Sequence, residues 1–190
     1  MAAAVEEENA AGTSKVIAKE RIEQGKGLKT QGNEYFKKKE YRNAMKSYHK
    51  ALLHVKGLVD QPTFPGMDSL EKDISDEDKQ EIYQVQFSCY NNLAACLLKD
   101  SRWDRAEHYC NEALKLQPQN AKALFRRGQS YFHMKDFDKA KRDLKAAEEL
   151  EPKDSNIKKM LASLEVELKK IKEKEKKMYA GMFDSHIKKE

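Results

Sequence analysis

Small and apolar residues recur along this chain at a fixed interval. Ala94, Ala106, Ala113 and Pro118 are followed by Gly128, Ala140, Ala147 and Pro152, each pair 34 positions apart. Around these positions, YNNLAACLLKDSRWDRAEHYCNEALKLQP and LFRRGQSYFHMKDFDKAKRDLKAAEELEP each predict a helix, a short polar turn and a second helix. A proline closes each unit because it cannot continue the helix. The same grammar opens the chain. LKTQGNEYFKKKEYRNAMKSYHKAL sets Gly32, Tyr35, Ala44, Tyr48 and Ala51 each 96 positions before Gly128, Tyr131, Ala140, Leu144 and Ala147. Three helical pairs are therefore predicted, over about 24–57, 87–120 and 121–154. Gly32, Ala94 and Gly128 fall where paired helices approach closely, and Ala44, Ala106 and Ala140 let the second helix lie flat on the first. A bulky side chain at any of them would push the helices apart.

Between the first and second pairs the interval is broken. Ala44 and Ala106 stand 62 apart, 28 more than the period. The excess falls at about 57–75, where GLVDQPTFPGMDSLEKDI has prolines, glycines and acids but no helical periodicity, and predicts a surface loop. A helix restarts near Ser75, an N-cap with Asp78 in the first turn. After Pro152, Ile157, Leu161, Leu164, Leu168 and Ile171 are spaced by 4, 3, 4 and 3 and predict a long final helix within 153–184. Its first half covers the third pair; past Lys169 it is so charged that it should project beyond the core. Residues 1–18 are expected to form a disordered, acidic, Ala-rich tail ahead of a repeat region at 19–152, and 185–190 a second tail.

Composition narrows the function classes. Charged residues are 36% of the 190, with 8 Gly and 4 Pro, the balance of a helix-rich, surface-heavy protein. The net charge of +5, from 37 Lys+Arg against 32 Asp+Glu, is well mixed in sign, so nucleic acid is not expected as a partner. Cys89, Cys96 and Cys110 lack CxxC spacing and are read as packing residues. His49, His54, His108, His133 and His186 form no metal-ligand pair, and no HExxH, GxSxG, P-loop or GxGxxG motif occurs. No catalysis, cofactor or metal is therefore expected. The N-terminus has no basic stretch leading an apolar one, and nowhere do about 18 apolar residues run together. The expectation is a cytoplasmic monomer, with the nucleus also open and no membrane insertion.

A 34-residue helix-turn-helix unit with this Gly/Ala frame resembles the tetratricopeptide repeat (TPR). The resemblance implies an all-α fold: three TPR repeats in a right-handed superhelical solenoid, closed by the C-terminal helix. The first helices of such repeats line the concave face. On them Lys29 and Asn33 are four apart, Asn92 stands in the second repeat, and Lys122 and Arg126 are again four apart in the third. The segments KTQGN, NNLAA and AKALFRR resemble the dicarboxylate-clamp TPR domains of Hsp90 and Hsp70 co-chaperones. That implies a ligand with a free acidic C-terminus, of the EEVD type. In it Lys29, Asn33 and Asn92 hold mainly the terminal carboxylate, Lys122 the terminal Asp side chain, and Arg126 upstream acidic or backbone groups. Lysine supplies charge and asparagine directed N–H donors. Arg127 and Asn91 are read as ordinary polar surface positions.

The three repeats, the insertion after the first and the closing KEKKMYAGMF together resemble the tetratricopeptide repeat protein 9 family, over about 19–183. The closing segment is also similar to the final helix of the large TPR immunophilins. These resemblances imply a non-enzymatic adaptor for the Hsp90 or Hsp70 tail, leaning to Hsp90, with delivery of a client left open. Two alternatives stand beside it. One is a TPR scaffold that binds an internal peptide of another partner. The other, additional to the clamp, is contact of the basic run Lys169, Lys170, Lys172, Lys174, Lys176 and Lys177 with calmodulin or an acidic surface, weakened by the interleaved Glu173 and Glu175.

Overall fold

A computed structural model describes residues 2–59 and 74–187, with side chains over 15–59 and 74–179. The chain divides into two compact units, Met1–Pro118 and Gln119–Glu190. The first unit holds α1 (Ala2–Lys37), α2 (Tyr41–Val59), α3 (Asp76–Lys99) and α4 (Trp103–Leu116). In it α1 pairs with α2 and α3 with α4, while α3 also packs on α2 and α1. The second unit holds α5 (Ala121–His133), α6 (Phe137–Leu150) and α7 (Ser155–Ile187), with α6 against α5 and α7 against both. Among the described residues there is no strand, as the all-α expectation has it.

Each helical pair is joined by the same turn. Lys39, Ser101 and Lys135 have φ of 62°, 56° and 64°, and they occupy one position of the repeat frame. After α1 the amide of Lys39 donates to the carbonyl of Phe36, and that of Glu40 to Tyr35. Ser101 and Arg102 do the same to Leu98 and Leu97, and Lys135 and Asp136 to Phe132 and Tyr131. This double bond pattern around a left-handed residue satisfies the last carbonyls of the helix and reverses the chain. The following helices start on caps: the Asp136 side chain accepts from the amide of Lys139. The Ser75 hydroxyl accepts from the amide of Asp78, the capping arrangement its sequence predicts.

Facing positions in the repeat frame explain the small residues. A Cβ at Gly32 would stand 2.5 Å from Tyr48 Cε1, and one at Gly128 would stand 2.8 Å from Leu144 Cγ. The second repeat has Cys110 at the Tyr48 position, and there Ala94 replaces glycine with both residues fully buried. The size of the side chain on the second helix thus decides whether the first can carry a methyl group.

In the second unit α7 completes a core that two helices would leave open. Leu164 is buried with Tyr131, Ala140 and Leu144, and Met160, Leu161 and Leu168 pack against this group. Burying Leu164 contributes roughly 1.5–3 kcal/mol. From Lys169 to Tyr179 every residue is exposed, as the charged sequence predicts.

Two boundaries differ from expectation. Helix α1 already begins at Ala2, and Ala18, assigned to a tail, is buried with Ile22 in the first unit. The segment is rich in alanine and glutamate, strong helix formers, and prolongs a helix that packing has nucleated downstream. Helix α7 extends to Ile187. Most of the predicted loop, at 60–73, lies outside the described residues.

Candidate functional site

The first helix of the chain presents Lys29 and Asn33 one turn apart, both half-buried, and α3 presents the half-buried Asn92. These three are brought together within the first unit. The Asn92 Nδ2 amide donates to Asn33 Oδ1 at 2.9 Å, and the Tyr48 hydroxyl from α2 donates to the same oxygen at 2.8 Å. Two donors occupy the lone-pair directions of the Asn33 carbonyl, which favours this orientation of the amide and leaves its NH2 group as the donor on offer. Nearby on the same helix Lys26 pairs with Glu81 of α3 at 2.6 Å and with Glu23 at 2.9 Å. Hydrogen bonds to these carboxylates hold the Lys26 ammonium above its ordinary range, against a smaller opposing effect of burial. Burial pushes the thiol of Cys89 up to about 12, with the charge of Lys29 pulling the other way. That thiol is a packing group.

Lys122 and Arg126 lie together in the second unit, one turn apart on α5. Asn120 caps this helix, its side chain accepting from the amide of Ala123 at 3.1 Å. No acid stands in the first turn of α5, and exposed Lys122 occupies it instead. A cation at the positive end of a helix dipole is locally unfavourable, and an anion docked there would relieve both the charge and the dipole. Half-buried Arg126 follows, its carbonyl accepting from the Ser130 hydroxyl at 3.1 Å.

Two residues depart from their reading as plain surface. Arg127 grips Asp143 of α6, Nε to Oδ2 at 2.5 Å and Nη2 to Oδ1 at 3.0 Å, with Asp143 only 2% exposed. Asn91 is buried at 7% exposure. Tyr48 was legible only as a core residue, because nothing in the pattern distinguishes a tyrosine that packs from one whose hydroxyl also orients a neighbour. Elsewhere, the His49 imidazole stands edge-on to Tyr109 and is held below its ordinary range by burial and then by the charge of Arg105. Cys89, Cys96 and Cys110 are buried thiols. Among the described residues no group of three or more His, Cys, Asp or Glu could hold a metal ion, and no helix is long and apolar enough to cross a membrane.

Residues 97–164 match the tetratricopeptide repeat family model. Over 164 residues the chain is 38% identical to tetratricopeptide repeat protein 9C of Xenopus tropicalis, covering 84% of this chain and 92% of that protein. The chain belongs to the tetratricopeptide repeat protein 9 family. Among solved structures, this family member is similar to the C-terminal TPR-containing domain of a Plasmodium falciparum FK506-binding protein. The TM-score is 0.70 at 24% identity, over 82% of this chain and 95% of that one. It is also similar to the first TPR domain of Spaghetti bound to the HSP90 peptide SRMEEVD, with a TM-score of 0.58 and 25% identity over 77% of this chain and 94% of that one. The tetratricopeptide repeat protein 9 chain is thus a TPR protein-interaction module, in agreement with its 34-residue frame.

Proposed function

We propose that this chain is a non-enzymatic co-chaperone adaptor that binds the acidic, EEVD-type C-terminal tail of Hsp90, or of Hsp70. In this reading Lys29, Asn33 and Asn92 hold the terminal carboxylate. Lys122 takes the side chain of the terminal Asp, and Arg126 takes upstream acidic or backbone groups. The observation that carries the reading is the polarity of the Asn33–Asn92 pair. With the Asn33 oxygen saturated by two donors, what Asn33 still offers beside the Lys29 ammonium is N–H. A deprotonated carboxylate is acceptor-only and matches such a group of donors; a carboxamide brings its own N–H into it. The likeness to a TPR domain bound to SRMEEVD supports the same reading. Each charge-assisted hydrogen bond contributes about 1.5–3 kcal/mol, offset by the ordering of a flexible tail, so affinity of about micromolar strength is expected.

Calorimetry with SRMEEVD as the free acid and as its C-terminal amide tests this. The acid binds, and the amide binds far more weakly. Equal affinities would defeat the carboxylate reading and favour a scaffold for internal peptides.

A further inference from the structure

The geometry points to Tyr48 as a positioning residue for carboxylate recognition. We infer that its hydroxyl fixes the orientation of the Asn33 amide and so sets the preference for a free C-terminus. The inference rests on the carboxylate reading above.

A lone asparagine amide on a helix can present either its oxygen or its NH2, and turning one into the other leaves its shape unchanged. A carboxylate is bound by one orientation and repelled by the other. The bond from Asn92 alone does not decide the matter, because a rotated Asn33 could in turn donate to the Asn92 oxygen. Tyr48 does decide it. Tyr48 is 1% exposed and its side chain crosses from α2, so the hydroxyl reaches Asn33 from the buried side. With the NH2 turned inward, the tyrosine could meet it only by giving up its own role as donor.

The surrounding sequence is shaped to this contact. Gly32, immediately before Asn33, leaves the space the Tyr48 ring fills, since a Cβ there would lie 2.5 Å from Cε1 and 2.7 Å from Cδ1. In the repeat frame the Tyr48 position is held by Cys110 and Leu144, and the Asn33 position by Ala95 and Gln129. A tyrosine hydroxyl and an asparagine amide therefore coincide only in the first repeat, where the carboxylate is placed. Packing alone accounts for the ring, as Leu144 over Gly128 shows, but not for the hydroxyl.

The test is calorimetry of SRMEEVD, as acid and as amide, against wild type, Tyr48→Phe, Asn33→Ala and the double variant, with thermal unfolding of each. Tyr48→Phe keeps the ring. It should lose about five- to tenfold in affinity for the acid, the worth of about one hydrogen bond, with little change for the amide. In the Asn33→Ala background the same change should cost nothing further, because the amide it orients is gone. Wild-type affinity for the acid in Tyr48→Phe overturns the assignment. So does an equal loss for acid and amide, which marks a packing defect. If Tyr48→Phe fails to fold, Gly32→Ala displaces the ring by its own Cβ and must narrow the acid-over-amide preference in the same way; an unchanged preference overturns the assignment. A wild-type chain that binds acid and amide equally removes the carboxylate reading itself, a result distinct from failure of the Tyr48 assignment alone.

Discussion

Lys39, Ser101 and Lys135 each sit in the left-handed region of the backbone at the turn between paired helices, where glycine would be unstrained. For a residue with a Cβ this conformation costs roughly 1–2 kcal/mol, partly returned because glycine loses more freedom on folding. Lys135 is exposed. Lys135→Gly should therefore stabilise the protein by about 0.5–1 kcal/mol, read as a rise in denaturation midpoint at unchanged m-value. A fall would mean that the lysine side chain holds the turn. The sequence marks these turns as short and polar but does not mark their handedness, because the usual glycine signal is missing. The close approaches were the reverse case. Gly32 and Gly128 are legible as small because the frame repeats them, whereas Tyr48 reads as core and conceals its hydroxyl.

At the scale of helices, one facing pair of the repeat frame is built in three chemistries. In the first repeat Ser47 donates to Gln31 at 3.2 Å; in the second the positions are Leu93 and Tyr109; in the third they are Arg127 and Asp143. A frame defined by small residues says nothing about this pair, so Arg127 looked like surface until α6 brought Asp143 against it. Breaking the ion pair from one side leaves a carboxylate at 2% exposure without its bidentate partner. Arg127→Leu should cost about 3–5 kcal/mol. The double variant Arg127→Leu with Asp143→Tyr installs the second repeat's own pair and should recover most of that loss in denaturant unfolding. Recovery of nothing would show that the surroundings of α5 and α6, and not the pair, require the charges. The final helix was more legible. Its 4, 3, 4, 3 stripe is a packing signal: Leu161, Leu164 and Leu168 join the second unit's core together with Met160, and Ile157 is buried. The start of α1 was not, since an alanine- and glutamate-rich segment reads equally as tail or as helix until a packed neighbour decides.

At the scale of the molecule, the proposed recognition of an acidic tail and stability make opposite demands on Lys122. It is exposed, in the first turn of a helix whose N-terminal end has no acid to balance it. A protein selected only for stability would place Asp or Glu there, worth about 0.3–1 kcal/mol through the helix dipole. Keeping a lysine is understandable if an anion arrives from outside. Lys122→Glu should accordingly leave the thermal midpoint unchanged or slightly raised while abolishing binding of SRMEEVD. Wild-type binding should weaken as salt is raised, because half-exposed charges are screened over a Debye length of about 10 Å at 0.1 M. A midpoint lowered together with lost binding would place Lys122 in the architecture. An unchanged or raised midpoint with full binding would remove it from the recognition set and leave the carboxylate to Lys29, Asn33 and Asn92 of the first unit. The expected separation, with stability held and binding gone, is what a residue retained for its ligand produces.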